Sequence, residues 1–380
     1  MRTLVVVRAL KTGGMERVAI NLADAFAAEG HESHLLFYKK RDDAFYPAHP
    51  SVKLHQFNVN HISLAEPLSL LTEIGARLSN LVWRKSYFLL SGWHGGKRLQ
   101  REIAKLEQTY GAFDRIILRG EGTYEMVWSF DHERAIYVLE NMINRSSKAS
   151  ASLYAKRVKA LFHNKHLATV SSGVKQQAQE QLSQHHVAPK SLSVITNPCP
   201  IDCIREQALA AKPSAMPDGP YLLNVARLVP QKGQDLLLEA YAKSQQTIPL
   251  VIVGSGKLEQ TLKEQAKTLG IADKVHFVGN QANPYVWMKH ASLFVLSSRV
   301  EGLGIVLFEA LACGTPIISV DCQGGVRDIF KGELENFLCE RTPQALADKI
   351  DQTLAQGSYP IKEAWIDDFK PENVVNAFLK

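Results

Sequence analysis

Two glutamates and two glycines in one short segment form the clearest chemical pattern in this sequence. Gly302 and Gly304 follow Glu301, and Glu309 comes eight positions after Glu301. The segment predicts a strand that ends at Glu301, a glycine turn and a helix start, whose free N–H groups bind phosphate. Two carboxylates beside it can hold the hydroxyls of a transferred group and of a ribose. Taken alone, the two glutamates are more typical of surface acids.

Two cations in the same half of the chain can serve a diphosphate. Arg227 and Lys232 follow a predicted strand and precede a predicted helix, with Gly233 beside them. The pattern places both at the carboxyl edge of a sheet, where α/β folds bind ligands. There they can offset the negative charge of a bound phosphate or diphosphate group.

Other glycine and acidic motifs are weaker. Gly13 and Gly14 lie between the first predicted strand and helix, where a backbone without Cβ lets a ligand approach, although a simple turn explains them equally well. The sequence around Gly254 and Gly256 lacks the third glycine of a dinucleotide motif, so we exclude NAD. No Asp-x-Asp pair is present, and we predict neither a metal nor a cofactor.

Strand and helix patterns alternate along both halves of the chain. Strands are predicted at 2–9, 32–38, 114–118, 135–139, 166–170, 191–195, 221–226, 249–253, 274–278, 292–296 and 316–320, and helices at 16–29, 234–243 and 256–269. Strand, crossover helix and strand make the unit of a parallel sheet. A proline-rich linker separates the two arrays. The sequence therefore predicts an α/β fold with two doubly wound domains that face a central cleft.

These patterns also predict the domain boundaries. Residues 1–200 form the first Rossmann-like domain, with a basic helical insertion at about 61–108. Residues 201–360 form the second, and a C-terminal helix within 361–380 returns to the first.

Four segments, taken in order, resemble the retaining family 4 glycosyltransferases of GT-B fold. They are residues 11–32, 225–240, 251–259 and 297–328, the last including EGLGIVLFEALACGTP. The resemblance covers most of the chain and is strongest over 221–330. It implies a retaining, metal-independent hexosyltransferase that takes its sugar from a nucleotide-diphosphate donor, and it favours a UDP-sugar. The first domain would bind the acceptor and the second the donor.

The resemblance also implies a role for each candidate residue. Glu301, Arg227 and Lys232 are the predicted catalytic residues. Glu301 would hold the donor sugar, and Glu309 the ribose. The further predicted donor contacts are Gly13, Gly14, Val278, Asn280, Gly302, Leu303, Gly304 and Ile305. Relatives often carry a mid-domain histidine that is missing here, and Arg119 or Glu121 is a candidate to replace it.

Composition and charge suggest where such an enzyme would act. The chain has 380 residues and a net charge of +6, and residues 1–200 hold 26 Lys+Arg against 17 Asp+Glu. Basic and aromatic residues at 77–105, with further basic residues at 145–175, suit an anionic membrane surface. No nucleic-acid-binding motif is present, so we exclude that partner. We predict a cytoplasmic protein, peripheral at the inner face of the membrane, whose acceptor is a lipopolysaccharide, lipid-linked glycan or polysaccharide.

Two other functions stay open. A sugar-nucleotide epimerase of the same fold would release free sugar without an acceptor. A non-catalytic subunit of a polysaccharide complex would bind the sugar nucleotide without turning it over.

Overall fold

The chain forms two compact units in the computed structural model, which describes residues 1–10, 14–40, 45–59, 67–82, 86–145, 150–357 and 359–380. The first unit comprises Met1–Pro198 and Pro371–Lys380, and the second comprises Cys199–Lys370. The boundary lies two residues before the expected one. Only the last ten residues join the first unit, whereas 361–370 stay with the second.

The first unit is built on a seven-stranded parallel sheet in the order β3-β2-β1-β4-β5-β6-β7. Its strands are β1 (Arg2–Leu10), β2 (Glu32–Lys40), β3 (Lys53–Gln56), β4 (Arg115–Arg119), β5 (Ala135–Leu139), β6 (His166–Thr169) and β7 (Ser191–Val194). Its helices are α1 (Gly14–Ala28), α2 (Pro67–Val82), α3 (Tyr87–Tyr110), α4 (Glu121–Glu125), α5 (Ala151–Phe162) and α6 (Ser172–Gln184). The β-branched run of β1 is almost completely buried, as expected for a strand covered on both faces.

The second unit carries a six-stranded parallel sheet in the order β10-β9-β8-β11-β13-β15, and β12 and β14 form a separate short pair. Its strands are β8 (Leu222–Val225), β9 (Leu250–Val253), β10 (Val275–Phe277), β11 (Leu293–Leu296), β12 (Val300–Glu301), β13 (Ile317–Val320), β14 (Gln323–Gly324) and β15 (Leu338–Cys339). Its helices are α7 (Ile201–Gln207), α8 (Gln234–Lys243), α9 (Glu259–Thr268), α10 (Tyr285–His290), α11 (Ile305–Ala312), α12 (Val326–Ile329) and α13 (Pro343–Ala355). The expectation of two doubly wound sheets is confirmed.

The last helix, α14 (Pro371–Leu379), packs within the first unit. The ring of Phe378 lies 6.3 Å from that of Phe26 on α1, measured between centroids. Arg115 Nε, on β4, donates a hydrogen bond of 2.9 Å to the Phe378 carbonyl oxygen.

The insertion is helical where it is described. α2 and α3 occupy most of 61–108, while 61–66 and 83–85 lie outside the described residues. No helix in the described ranges is long and apolar enough to cross a membrane.

A buried histidine in the first unit, His34, contacts the half-buried His55 and is expected to make the stability of the unit sensitive to acid. His34 on β2 is fully buried, and its Nδ1 lies 2.8 Å from Nε2 of His55 on β3. Burial lowers the pKa of His34 to about 4, although Glu32 beside it opposes the shift. The imidazole of His34 is therefore neutral in the folded protein at neutral pH.

We expect the free energy of unfolding to decrease as the pH falls from about 6.5 to about 4. In this window the unfolded chain protonates His34 and the folded chain does not, so acid favours unfolding. The His34→Gln variant has no charge to gain at this position and should show a flatter pH dependence in urea titrations. An equally steep dependence in the variant would contradict this explanation.

Candidate active site

The candidate site lies at the carboxyl edge of the second sheet, where the strand order changes direction. β8 and β11 are neighbours, with β9 and β10 on one side and β13 and β15 on the other. Such a switch point leaves a crevice in which α/β folds bind ligands. Arg227 and Lys232 follow β8, and Glu301 follows β11. The three predicted catalytic residues therefore follow the two strands at this switch point.

Lys232 and Glu301 form a partly enclosed ion pair. Nζ of Lys232 lies 2.6 Å from Oε1 of Glu301, and the side chains are 17% and 8% exposed. Ser298 Oγ donates to the same Oε1 at 2.5 Å. Within the described ranges, Oε2 of Glu301 accepts no hydrogen bond. One carboxylate oxygen is thus held by the protein, and the other is left for a ligand hydroxyl.

A second ion pair fixes the turn that carries Lys232. Arg299 donates to both carboxylate oxygens of Asp235, at 2.9 and 2.5 Å, and to the Pro230 carbonyl oxygen at 2.7 Å. Gln231 Nε2 donates to the Val300 carbonyl oxygen at 2.9 Å. The segment after β8 is therefore tied to the segment after β11, which limits the freedom of the Lys232–Glu301 pair.

The pairing of β12 with β14 positions Glu301 through a close approach that requires glycine. Glu301 pairs with Gly324, and the N–H of Gly325 donates to the Glu301 carbonyl oxygen at 3.1 Å. A Cβ on Gly324 would lie 1.7 Å from that oxygen, and the φ of Gly324 is +115°. The predicted loop at Gly324 and Gly325 thus supports the Glu301 backbone directly.

Gly324→Ala should move Glu301 and destabilise the second unit well beyond the effect of backbone strain alone. Gly314→Ala is the matched control, because Gly314 also has a positive φ, +81°, but an added Cβ there meets no atom within 4 Å. The control should cost roughly 1–2 kcal/mol in unfolding free energy, and the Gly324 variant clearly more. If urea titrations give the same loss of unfolding free energy for both variants, the contact between residue 324 and Glu301 makes no contribution to stability.

Helix α11 presents the predicted phosphate-binding start and the second carboxylate. Gly304 precedes it with φ +90°, and the first N–H groups of an α-helix have no acceptor within the helix. Glu309 is the only charged residue of α11 and is 8% exposed. Tyr285 Oη donates to Oε1 of Glu309 at 3.2 Å. A buried carboxylate in an otherwise apolar helix is costly, which favours a functional role for Glu309.

One buried thiol, Cys322, and one half-buried thiol, Cys313, lie close to the two carboxylates. Burial, followed by the charge of Glu301, raises the pKa of Cys322 to about 12. Burial and the charge of Glu309 raise the pKa of Cys313 to about 12 as well. Both side chains are therefore neutral thiols at physiological pH, and neither supplies a thiolate nucleophile.

The remaining predicted donor contacts have varied surroundings. Arg227 is exposed, and its guanidinium makes no hydrogen bond or ion pair with the described residues. Val278 and Asn280 follow β10, two strands away from β8 on the same sheet edge. In the first unit, Gly14 begins α1 after β1, whereas Gly13 lies outside the described residues.

The two candidates for the missing histidine are both held by protein partners. Arg119 is fully buried, and its Nε donates to Glu140 Oε1 at 2.7 Å and its Nη2 to Asn197 Oδ1 at 2.6 Å. Direct contact with a ligand would require Arg119 to leave this network. Oε1 of Glu121 lies 2.8 Å from Nη2 of Arg157. The carboxyl group of Glu121 is largely enclosed, and this burial raises the pKa of Glu121.

Three residues of the site were not predicted from the sequence. Gln231 and Tyr285 reach it through long-range contacts, and Ser298 reaches Glu301 through a local hydrogen bond three positions along the chain. Across the described ranges, no three His, Cys, Asp or Glu side chains are grouped so that they could bind a metal ion.

Residues 206–367 match the family model of glycosyl transferases group 1. An uncharacterized glycosyltransferase of Haemophilus influenzae is 25% identical over 87% of this chain and 83% of its own length. An uncharacterized glycosyltransferase of Methanocaldococcus jannaschii is 36% identical to this chain. The match spans 34% of this chain and 30% of the length of that relative. The second unit thus carries a glycosyl transferases group 1 domain, and the chain has glycosyltransferase homologues.

A third relative has a named activity. The N-acetylgalactosamine-N,N'-diacetylbacillosaminyl-diphospho-undecaprenol 4-alpha-N-acetylgalactosaminyltransferase of Campylobacter jejuni is 32% identical over 40% of this chain. The match spans 41% of that relative, so this chain aligns with less than half of its length.

Comparison with solved structures identifies the fold. The Anabaena protein HepE, in complex with UDP and glucose, superposes with a TM-score of 0.71 at 19% identity, covering 99% of this chain and 98% of its own. The lipopolysaccharide outer core galactosyltransferase WaaB superposes with a TM-score of 0.66 at 20% identity. The superposition covers 100% of this chain and 98% of WaaB. Together with the two parallel sheets, these likenesses define the GT-B fold.

Proposed function

We propose that this protein is a retaining hexosyltransferase that moves a sugar from a nucleotide-diphosphate donor to a glycan or glycolipid acceptor. The observation that carries the proposal is the Lys232–Glu301 pair at the switch point between β8 and β11. It places a cation and a carboxylate with one unoccupied oxygen at the sheet edge where α/β folds bind ligands. The group 1 domain and its glycosyltransferase homologues support the same conclusion.

The second unit would bind the donor through complementary charges. Arg227, Lys232 and the first N–H groups of α11 would stabilise the diphosphate, and Glu309 would hold the ribose hydroxyls. Val278 and Asn280 would contact the base. We favour a UDP-sugar, because the structurally similar HepE was solved with UDP and glucose. The contacts of Gly13 and Gly14 with the donor stay predictions.

The transfer step needs no protein nucleophile in this proposal. Glu301 would hold donor-sugar hydroxyls through Oε2 and so position the anomeric carbon. The acceptor hydroxyl would attack on the face that the leaving group vacates, forming the new glycosidic bond as the bond to the diphosphate breaks. Its proton would pass to the departing phosphate oxygen, and Lys232 would offset the negative charge. The two cations would serve in place of a metal ion.

We propose a lipid-linked, lipopolysaccharide or polysaccharide acceptor at the inner face of the cytoplasmic membrane. The Campylobacter jejuni homologue is named for a diphospho-undecaprenol substrate. The structural neighbour WaaB is named as a galactosyltransferase of the lipopolysaccharide outer core. Large apolar side chains on α2 are exposed, among them Leu71, Leu78 and Leu81, and the basic stretches 77–105 and 145–175 lie in the same unit. Apolar and basic groups together suit an anionic lipid surface.

The test is a product analysis with UDP-, GDP- and ADP-sugars, with and without a bacterial lipid extract. Release of nucleoside diphosphate that requires the extract, with retained anomeric configuration in the product, would support the proposal. Free sugar released without an acceptor would indicate the epimerase instead. Nucleotide binding without turnover in any mixture would indicate a non-catalytic subunit.

A further inference from the structure

A separate pocket of about 390 Å³ lies at the amino edge of the first sheet. Its walls come from α3, from the segment before β5, and from the last residues of α5 with the segment that joins α5 to β6. We call it the amino-edge pocket, and the lining residues that matter here are Trp93, Lys97, Trp128, Lys159, His163 and Lys165. Because the strands begin at this edge, it is the edge opposite to the one where Gly14 follows β1.

The charge of the lining is mainly positive. Lys97, Lys159 and Lys165 face one acid, Asp131. That carboxylate also has a partner outside the pocket, since its Oδ1 lies 3.9 Å from Nζ of Lys190. The pocket therefore has more cationic charge than its own acid offsets, as an anion-binding site requires.

Lys165 is the most unusual member of this set because it is 7% exposed. Its Nζ donates to the Trp128 carbonyl oxygen at 2.6 Å and lies 4.3 Å from the ring centroid of Tyr137. Both of these partners are neutral. Burial lowers the pKa of Lys165 to about 8, an effect that Asp131 opposes. A buried ammonium group without a close counter-charge is costly, and a bound anion would supply that charge.

The pocket walls are fixed by direct contacts. Ser129 Oγ donates to the Trp93 carbonyl oxygen at 2.6 Å, and Trp128 Nε1 donates to the Phe88 carbonyl oxygen at 3.1 Å. At Gly95 an added Cβ would lie 2.2 Å from the Met126 carbonyl oxygen. Helix α3 thus lies directly against the segment before β5, and a ligand would enter a preformed pocket.

We propose that the amino-edge pocket binds the phosphate group of a phosphate ester, whose glycerol or sugar part lies against Trp93 and Trp128. Lysine ammonium groups act as compact point charges that suit a tetrahedral phosphate. The indole faces offer apolar surface beside them. A soluble phosphate ester and a phospholipid headgroup share this chemistry. The proposal does not depend on glycosyl transfer.

The experiment compares binding of glycerol 3-phosphate, by calorimetry, with flotation on phosphatidylglycerol vesicles. Lys97→Gln and Lys159→Gln each remove an exposed cation of the pocket, and each should raise the dissociation constant about tenfold. Lys156→Gln is the matched control, because it removes the same charge from α5 outside the pocket. Saturating UDP should leave the dissociation constant unchanged, which separates this site from the donor site.

The two ligands distinguish the sources of the phosphate. Saturable binding of glycerol 3-phosphate that the pocket variants weaken would assign the site to soluble esters. Vesicle binding alone, weakened by the pocket variants and not by the control, would assign it to a lipid headgroup. No binding of either ligand, or equal effects of all three substitutions, would overturn the proposal.

Discussion

Replacing Lys232 with alanine should lower the turnover of sugar transfer by about 100- to 1000-fold. Its ammonium group lies at the carboxyl edge of β8, where the leaving diphosphate is expected, and no other lysine of the described ranges contacts Glu301. Because the side chain is only 17% exposed and pairs with Glu301, its removal should also lower the melting temperature, and the loss of turnover must be judged on folded protein. The measurement is the steady-state rate of nucleoside diphosphate release at saturating donor, together with a thermal melt.

Lys243→Ala provides the matched control for Lys232→Ala. Lys243 is exposed at the last residue of α8, in the same unit, and its removal should leave turnover within about twofold. Near-normal turnover of the Lys232 variant would remove that residue from the mechanism. A loss of the same size in the control would point to a general effect of charge.

Replacing Glu301 with glutamine should reduce turnover by about 100-fold or more. Glutamine keeps the shape and can still accept the hydrogen bonds of Lys232 and Ser298 through one oxygen. It loses the negative charge, and an amide nitrogen takes the place of the free oxygen Oε2. Binding of the donor sugar should therefore weaken while binding of the nucleotide alone is retained.

Glu259→Gln is the control for the loss of a carboxylate that pairs with lysine. Oε1 of Glu259 lies 2.7 Å from Nζ of Lys263, an exposed pair on α9. Its loss should have little effect on either stability or turnover. The double variant Lys232→Ala with Glu301→Gln should lose less transition-state stabilisation than the sum of the losses in the two single variants, because the two residues act as one unit. Full additivity in transition-state free energy would contradict the assignment of a joint role.

Most strands of the two sheets were predictable because they are short apolar runs bounded by turn residues, whereas β3 and the two-residue β15 were not predicted. The run Leu293–Leu296 is completely buried, and its limits differ from the prediction by one residue. β3 was missed because KLHQ has neither β-branched residues nor a buried face. The start of β6 at His166 agrees with the prediction, and the sheet pairs this residue with Ile136 and Ser191.

The site was predictable where its residues follow strands directly. Lys232 and Glu301 are 69 positions apart, yet the strand order alone places them at neighbouring strand ends. The contacts that hold them were not predictable, because Arg299 and Asp235 are 64 positions apart and no local sequence pattern indicates that they meet. Tyr285 likewise reaches Glu309 only through the packing of α10 against α11.

The central claim, that the second unit binds a nucleotide through Glu309 and the start of α11, is tested most directly by thermal shift. A ligand that binds only the folded state adds about 2.7 kcal/mol of stability at a hundredfold excess over its dissociation constant. UDP, GDP and ADP would be compared on the wild type, on Glu309→Ala and on Tyr285→Phe. The tyrosine variant removes a hydroxyl that contacts Glu309 but leaves the carboxylate in place.

We predict a rise in melting temperature with UDP that is kept in Tyr285→Phe and lost in Glu309→Ala. No shift with any of the three nucleotides at millimolar concentration, or an undiminished shift in Glu309→Ala, would contradict the proposed donor site.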